Sequence, residues 1–362
     1  MTNPSAKSAR KCRARDLGLP FPGTTGPFNA ITDVPGVAVG FCTLTDPAQN
    51  MRTGVTAILP RPGAVPKPVW AGQYALNGNG EMTGTHWIND AGYFMGPILI
   101  TNTHGVGAAH MGATRWMIDT YASYFQDHHA WAMPVVAETY DGVLNDINAL
   151  HVQPDHAIAA LNALAFGSVA EGSTGGGNGM ICYDFKGGTG TSSRQIVIAD
   201  QTFTVAALVQ ANHGLRPWLT ILGKPIGQMM PENALHETEM GSIIVIVATD
   251  APLSGLSLRQ VAKRAAIGIG RGGTPGGNNS GDIFLAFSTA NDGPMPQFCG
   301  PVLTKQELTG YAMDAVYLAA VQAIEESVVN AMVAGENVAT VKPAGHTCMA
   351  IDQARLGAAF TA

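Results

Sequence analysis

The bond between Gly241 and Ser242 is the feature of this sequence that could most directly do chemistry. Ser242 opens the apolar, β-branched run Ile243–Ala248, which is typical of a central strand buried on both faces. If the bond were cut, Ser242 would become an N-terminus with a nucleophilic hydroxyl and an α-amine of pKa near ~8, which can accept the hydroxyl proton. A Gly-Ser pair before a strand is also a common turn, so this segment alone leaves both interpretations open.

Two further segments carry residues that could support such a nucleophile. Ser280 and Asp282 follow a loop rich in glycine and asparagine, and side chains two apart in an extended chain point to the same side. The pair could therefore orient another hydroxyl. Asn212 ends a predicted strand, where its amide could donate to an oxyanion. Both segments also fit ordinary turns, so their roles stay open at this point.

Glu138 is a candidate for substrate recognition. It lies at the end of the predicted strand 134–140, and Tyr140 and an Asp-Gly turn follow it. A carboxylate in this position could bind a substrate ammonium through a charge-assisted hydrogen bond. A solvated acid in a turn would give the same pattern, so the sequence does not decide between the two.

Patterns typical of cofactor and metal sites are missing from the sequence. The glycine run Gly175–Gly179 lacks the Lys-Ser/Thr ending of a nucleotide-binding loop and instead predicts a tight backbone turn near a site or between sheets. The ten histidines, among them His104 and His110, form no metal-ligand spacing. We therefore predict no metal and no cofactor. The five cysteines are far apart and favour free thiols in a reducing compartment.

The elements that must position these residues alternate irregularly along the chain. The predicted strands are a strand–turn–strand unit within 31–45, single strands at 54–60, 97–103, 134–140, 195–199, 203–212 and 283–288, and the strand that Ser242 opens within the segment 240–250. The predicted helices are 107–121, 155–164 capped by Asp155, 257–267 capped by Ser257, and 313–333. This order lacks the regular alternation of Rossmann and barrel folds and favours packed sheets covered by helices. Without a repeat or a separating linker, we predict one domain.

Composition narrows the function classes. The chain has 362 residues, 13% of them charged and 46% hydrophobic, with a net charge of −6. These values fit a globular protein with a large core, and the absence of a basic stripe argues against a nucleic-acid partner. We see no apolar run near the ~20 residues that span a bilayer, and so predict no membrane partner. The basic stretch Met1–Arg15 has no apolar region after it, so we expect a cytoplasmic protein, with the periplasm left open.

Taken together, these residues resemble the DmpA/BapA β-aminopeptidases, also described as L-aminopeptidase/D-amidase/D-esterases. These are self-processing serine hydrolases of the N-terminal-nucleophile type. The resemblance covers nearly the whole chain and rests on separate blocks in the right order: 14–18, 29–37, 76–84, 100–104, 135–142, 176–180, 241–244 and 280–284. Several blocks in order are far more specific than any one of them.

The resemblance implies a fold and a set of roles. The fold is a four-layer αββα sandwich, cut autocatalytically into an α-chain, residues 1–241, and a β-chain, residues 242–362. Ser242 maps onto the nucleophile and Asn212 onto the oxyanion residue. Glu138, with Tyr140 nearby, maps onto the acid that holds the substrate amino group. Ser280 and Asp282 map onto the residues that support the nucleophile. Some members carry glutamate where this chain has Asp282. Family members assemble as tetramers of such αβ units, so we expect a homotetramer.

We therefore expect an aminopeptidase that releases an N-terminal β-amino acid, D-alanine or small L-residue from short peptides, amides or esters through an acyl-enzyme on Ser242. One alternative is an amidase or acyltransferase on the same fold, similar to the nylon-oligomer hydrolases or the ornithine acetyltransferases. Those enzymes use threonine as the nucleophile, which favours the peptidase. A second alternative is a non-catalytic small-molecule binding protein with an uncut chain.

Overall fold

The computed structural model of the protein describes residues 11–361, so most of the basic N-terminal stretch lies outside the described residues. The strands are β1 (Ala38–Asp46), β2 (Met51–Leu59), β3 (Val69–Ala75), β4 (Tyr93–Phe94), β5 (Ile98–Asn102), β6 (Val135–Thr139), β7 (Ile181–Cys182), β8 (Phe185–Lys186), β9 (Gly188–Ile198), β10 (Gln201–Asn212), β11 (Ser242–Thr249), β12 (Gly281–Ser288), β13 (Val338–Ala339) and β14 (Thr347–Cys348). The α-helices are α1 (Thr85–Ala91), α2 (Val106–Thr120), α3 (Ala122–Asp127), α4 (Pro154–Asn162), α5 (Ile226–Met229), α6 (Gly255–Lys263), α7 (Ala265–Gly270), α8 (Ala312–Val333) and α9 (Gln353–Thr361).

A six-stranded sheet with the order β4-β3-β12-β11-β10-β9 carries most of the predicted chemistry. Strand β11 lies in its interior, antiparallel to β10 and parallel to β12. All eight residues of β11 are buried, which explains why its sequence is a continuous β-branched run rather than an alternating one. The sheet therefore fixes the position of Ser242 through hydrogen-bonded neighbours on both sides.

A second sheet faces the first and has the order β1-β2-β5-β6. Its strands pair antiparallel except for β5 and β6, which run parallel. Both β5 and β6 end at the same edge of this sheet, because parallel strands bring their carboxyl ends together. Glu138 is the penultimate residue of β6 and therefore lies at that edge.

Apolar side chains from the inner faces of both sheets form a common core. Ile58, Ile98 and Ile100 of the four-stranded sheet pack with Leu208 and Ile244 of the six-stranded sheet. Each such side chain contributes roughly 1.5–3 kcal/mol when fully buried. The two sheets thus pack face to face, as in a sandwich.

Helices cover both outer faces of this sandwich. Helices α2 and α4 pack on the four-stranded sheet, where Ala109 and Ala157 contact Leu99 and Val136 within one apolar cluster. Helices α6, α7 and α8 cover the six-stranded sheet in a larger cluster. The layer order is α, β, β, α, and the predicted αββα fold is confirmed.

Helix α8 corrects one expectation from the sequence. It has 22 residues and is apolar enough to cross a membrane by length and composition, whereas we expect no such run from the sequence. Of its most apolar window, 83% is buried inside the protein, where it packs against β9 and β10. Gly190 of β9 allows a close approach, because a Cβ there would lie 2.0 Å from the Ser327 carbonyl oxygen of α8. Protein covers most of the helix, so its apolar residues are not confined to one face.

Three local predictions were wrong in detail. The first strand predicted within 31–45 is a 3-10 turn at Ile31–Asp33, because the Asp33 carboxylate accepts the backbone N–H groups of Phe28 and Ala30 at 2.9 and 3.0 Å. Helix α4 begins after Gln153, not after Asp155, since Pro154 occupies its first turn.

The third error concerns the helix predicted at 257–267. Helix α6 begins earlier, because Ser254 rather than Ser257 is its N-cap, and the Ser254 hydroxyl accepts the Ser257 backbone N–H at 3.2 Å. The chain then breaks at Arg264 and continues as α7. The long helix 313–333 and the pairing of the strands predicted at 195–199 and 203–212 are confirmed, although β9 begins earlier than predicted, at Gly188.

Candidate active site

Ser242 lies at the start of the central strand β11 of the six-stranded sheet, with a paired strand on each side. It stands directly opposite Asn212, the last residue of β10, and beside Gly281, the first residue of β12. Its side chain is on the same face as Ile244, which packs into the core between the sheets. Only 5% of Ser242 is exposed. The hydroxyl therefore faces the second sheet and is covered in the uncut chain.

Gly241 is held close against the end of β10. A Cβ at this position would lie 2.1 Å from the Asn212 carbonyl oxygen and 2.8 Å from the His213 Cα atom. Such contacts are too short for any side chain, so only glycine allows this approach. The peptide before Ser242 is therefore fixed between β10 and the start of β11.

The Asn212 side chain is oriented by two hydrogen bonds. Its Oδ1 accepts the Ile181 backbone N–H at 2.8 Å, and its Nδ2 donates to the Tyr140 carbonyl oxygen at 2.9 Å. Asn212 is on the same face of the sheet as Ser242. An amide carries two N–H donors, and Tyr140 uses one of them. The other can serve a developing oxyanion beside the nucleophile.

Ser280 and Asp282 form the pair that the sequence predicts. The Ser280 hydroxyl donates to Asp282 Oδ1 at 2.5 Å, and the Asn77 amide donates to Oδ2 at 3.3 Å. Burial raises the pKa of Asp282, while these two hydrogen bonds and the Ile243 backbone N–H act to lower it. The pair is thus preorganised and shielded from solvent.

Asp282 and Ser242 point to opposite faces of the sheet, although from the sequence we expect Asp282 to help orient a hydroxyl. Strand alternation puts Asp282 on the same side as Phe284, towards the helices, whereas Ser242 points towards the second sheet. The carboxylate reaches β11 at its main chain, near the Ile243 N–H. This position suits support of the Ser242 nitrogen better than support of its hydroxyl.

Glu138 lies at the edge of the opposite sheet and is 4% exposed. Its Oε1 accepts the Glu81 backbone N–H at 3.0 Å, and its Oε2 accepts the Thr103 hydroxyl. Burial raises its pKa, and these hydrogen bonds partly oppose the shift. A carboxylate that is ionised but poorly solvated binds a cation strongly.

Gly80 allows the Glu138 carboxylate to lie next to β12, the strand that pairs with β11 beside Ser242. A Cβ at Gly80 would lie 3.0 Å from Glu138 Oε1 and 3.5 Å from the Gly281 Cα atom. Only the backbone of Gly80 therefore separates the carboxylate from β12. Gln210 of β10 links the two sheets nearby. Its amide donates to the Thr101 carbonyl oxygen of β5 at 2.9 Å and to the Thr139 hydroxyl of β6 at 2.7 Å.

Tyr140 lies at a cavity of about 300 Å³ that borders the Gly241–Ser242 bond. Asn212, His213 and Gly241 line the same cavity, and Tyr140 is 38% exposed. Residues 238–241 form one wall, so cutting after Gly241 would free that wall to move. The predicted glycine turn Gly175–Gly179 also lies here, buried between the sheets, where a Cβ on Gly176 would meet Ile100 and Gln210.

A second cavity, of about 340 Å³, is larger but chemically poorer. Aromatic and thioether side chains line most of it, including Trp87, Tyr93, Tyr124 and Trp131. No carboxylate or cationic Lys or Arg lies among its lining residues. Size alone does not define a site, so we assign the active site to the smaller cavity, where polar groups converge.

Two residues near the site, Thr103 and Glu239, were not predicted from the sequence. Thr103 directly follows β5 and lies within one of the family blocks, which is a signal that could have identified it. Glu239 lies near the cleavage position, but nothing in its surroundings in the sequence singles it out. In the described part of the chain, no group of three or more His, Cys, Asp and Glu side chains converges as a metal site would require.

Comparisons with known proteins agree with this geometry. The family model described as peptidase family S58 matches residues 29–346. A beta-peptidyl aminopeptidase, BapA, of Sphingosinicella microcystinivorans is 45% identical over 98% of this chain and 93% of the relative.

Two solved structures are similar over nearly the whole chain. The L-aminopeptidase D-Ala-esterase/amidase of Ochrobactrum anthropi is described as a prototype of the serine aminopeptidases and a variant of the Ntn hydrolase fold. It has a TM-score of 0.91, 55% identity, and coverage of 95% of this chain and 96% of that one. A Burkholderia sp. beta-aminopeptidase has a TM-score of 0.88 and 45% identity, with coverage of 97% and 98%.

Proposed function

This chain belongs to peptidase family S58 and is a serine aminopeptidase of the N-terminal-nucleophile type, and we propose that it cuts itself at Gly241–Ser242 to create its own active site. The observation that carries the proposal is the convergence of Ser242, Asn212 and Glu138 from two sheets on one edge, beside a bond that admits no side chain at Gly241.

The self-cleavage begins when Ser242 Oγ attacks the Gly241 carbonyl carbon. The C–N bond to Ser242 breaks, its nitrogen leaves as an amine that has gained the hydroxyl proton, and an ester links Gly241 to Ser242 Oγ. Water then hydrolyses this ester. The products are a carboxylate on Gly241 and a free N-terminal Ser242, so the proposed chains are residues 1–241 and 242–362.

Turnover then uses the new amine. An α-amine with a pKa near ~8 is partly neutral at pH 7 and accepts the proton of the Ser242 hydroxyl as it attacks the substrate carbonyl. The Asn212 N–H stabilises the oxyanion. The amine returns the proton to the leaving group, and water releases the acyl-enzyme by the same route.

Ser280 and Asp282 are proposed to hold that amine. The Asp282 carboxylate meets β11 at its main chain, where the new N-terminus forms. From its contact at the Ile243 N–H, the next residue along β11, the carboxylate would stabilise the protonated amine and fix its orientation. The hydrogen bond from Ser280 at 2.5 Å fixes the carboxylate in turn.

Glu138 is proposed to select substrates with a free N-terminus. Its buried carboxylate faces the edge that carries Ser242 and would pair with a substrate ammonium. From the names of the relatives, we propose N-terminal β-amino acids, D-alanine and small L-residues on short peptides, amides or esters as substrates. Tyr140 lines the same cavity as Asn212 and Gly241 and is proposed to border the bound substrate.

Intact-mass measurement of the purified protein tests the self-cleavage. We expect two chains, one ending at Gly241 and one beginning at Ser242, while Ser242→Ala stays at full length and is inactive. Ser242→Cys keeps a nucleophile and should still be cut, which controls for misfolding. A wild-type chain of full length, or a second N-terminus elsewhere, would contradict the proposal. Light scattering on the same sample tests the homotetramer, which stays a prediction.

A further inference from the structure

Glu239 is a partly buried acid with no role in the chemistry described so far. It lies in the segment just before the Gly241–Ser242 bond. Its Oε1 accepts the Gly214 backbone N–H at 2.7 Å. Its Oε2 is buried against Gly277, where a Cβ would lie 2.3 Å away, and the Gly277 backbone N–H also acts to lower the pKa of this carboxyl. Burying a carboxyl group costs free energy, so we expect the hydrogen bond between Glu239 and Gly214 to have a function.

Gly214 is a suitable anchor because it lies only two residues after Asn212, the oxyanion residue at the end of β10. It has a φ of +85°, and a Cβ there would meet the Tyr183 ring at 2.3 Å. Glycine is thus required at this position, and the chain turns so that its N–H points to Glu239. The hydrogen bond joins the segment before the cleavage bond to the end of β10.

This bond and the strand pairing bracket the reacting peptide. On one side, Ser242 is paired with Asn212 in the sheet. On the other, Glu239 ties the chain to Gly214. Gly241 lies between the two anchors and is pressed against the Asn212 carbonyl oxygen. With both sides tethered, the Gly241 carbonyl has little freedom to move away from the Ser242 hydroxyl.

We propose that Glu239 is a positioning residue for self-cleavage, whose hydrogen bond to Gly214 holds the Gly241 carbonyl where Ser242 can attack it. The proposal rests on the self-cleavage proposed above and adds a role that ends with it. Once the bond is cut, Gly241 is a chain end and the tether no longer acts on any reacting atom. Glu239 should therefore matter more for processing than for turnover.

The surroundings of Glu239 explain why a hydrogen bond rather than charge is the proposed device. Burial and the nearby Asp282 both raise its pKa, and the hydrogen bonds from the Gly214 and Gly277 backbone N–H groups oppose them. The other titratable groups that face it, Cys182 and Tyr183, are themselves buried and neutral in their usual forms. An uncharged acceptor in the same place should hold Gly214 nearly as well.

The experiment follows the cleavage of newly synthesised chains over time by gel or intact mass. Glu239→Ala removes the acceptor and should slow processing by about tenfold or more. Glu239→Gln keeps an oxygen acceptor and should process within about threefold of the wild type. The matched control is Glu237→Ala, which changes an exposed glutamate of the same segment and should process at the wild-type rate. In fully cut Glu239→Ala enzyme, kcat should fall by much less than the processing rate.

Each other outcome overturns the inference. Wild-type processing in Glu239→Ala shows that the tether is not needed. Equal slowing in Glu239→Ala and Glu239→Gln shows that hydrogen-bond acceptance is not the device, and equal losses in processing and kcat place Glu239 in turnover instead. If the wild-type chain itself is never cut, the proposed self-cleavage fails together with this role. If the wild type is cut and only the variants disagree, the inference alone fails.

Discussion

The two sheets meet at one edge of the sandwich, but they hold their functional side chains differently. The six-stranded sheet presents Ser242 and Asn212 from directly paired positions, and Ser242 has a paired strand on each side. The four-stranded sheet presents Glu138 from its outermost strand, β6, and relies on contacts from Thr103 and Glu81 to orient it. Tyr140 lies beyond the strand altogether.

This difference matches the demands of the two tasks. Bond making requires reacting atoms held within a fraction of an ångström, which paired strands provide. Substrate recognition needs a charge at a defined place, but the groups around it can vary between substrates. We therefore expect changes on the six-stranded side to affect both processing and turnover, and changes on the four-stranded side to affect only the choice of substrate.

The largest effect that separates the two sides is expected for Glu138→Gln. The change removes the negative charge but keeps the shape and the acceptor for the Glu81 N–H. A charged hydrogen bond to a substrate ammonium is worth roughly 1.5–3 kcal/mol, or about tenfold to over a hundredfold in kcat/KM for free-amine p-nitroanilides. N-acetylated analogues should be poor substrates for the wild type, and the variant should narrow that gap.

Self-cleavage is the internal control for this experiment, because the precursor offers no free amine at Gly241. Glu138→Gln should therefore be cut at close to the wild-type rate. If the wild type hydrolyses acetylated and free substrates equally well, Glu138 does not anchor the amine, and a general amidase would fit better. Loss of processing in Glu138→Gln would also contradict the proposal that the four-stranded side affects only the choice of substrate.

A smaller effect, in both reactions, is expected on the other side from Asp282→Asn and Ser280→Ala. Each disrupts the pair that meets β11 at its main chain, and each should slow processing and turnover by about tenfold, roughly 1.4 kcal/mol on the barrier. Rates of both reactions can be measured on one preparation.

Asp250→Asn is the matched control for Asp282→Asn. Asp250 is also an acid whose pKa burial raises, and it accepts the Thr204 N–H at 2.7 Å at the far end of the β10–β11 ladder. It is remote from Ser242, so processing and turnover should persist. If the control is as slow as Asp282→Asn, general loss of sheet stability explains both results and Asp282 has no special role.

The reacting residues could be predicted from the sequence because the residues around them have strong local patterns. The β-branched run after Ser242 predicts a buried strand, and Ser280 and Asp282 have the spacing that brings two side chains to one side. The pairing of Asn212 with Ser242 could not be predicted from the residues alone, since a long connection separates β10 from β11 and strand order is a tertiary property. The resemblance supplied that link.

Other features depend on tertiary contacts that leave no local trace. Gly80 and Gly241 matter because other chain segments pass within a Cβ distance of them, and nothing beside them in the sequence reveals this. Which face Asp282 occupies follows from the register of β12 against β11. The cap at Ser254 was missed because both Ser254 and Ser257 fit the capping pattern, and only the fold selects between them.

The smallest effect expected is a pH dependence that belongs to the recognition side alone. Burial raises the pKa of Glu138 in the free enzyme, and kcat/KM reports ionisations of the free enzyme. The carboxylate must be charged to bind an ammonium, so kcat/KM for a free-amine substrate should fall as the pH drops through this pKa, by about twofold at the midpoint. That midpoint should lie above the usual range of a glutamate. Asp282 also has a raised pKa, but it should affect all substrates alike.

The measurement is therefore the ratio of kcat/KM for a free-amine p-nitroanilide to that for its analogue without the amine, followed from pH 7 downwards. The ratio should lose its pH dependence in Glu138→Gln, and a ratio that is already independent of pH in the wild type would show that the four-stranded sheet does not supply the charge.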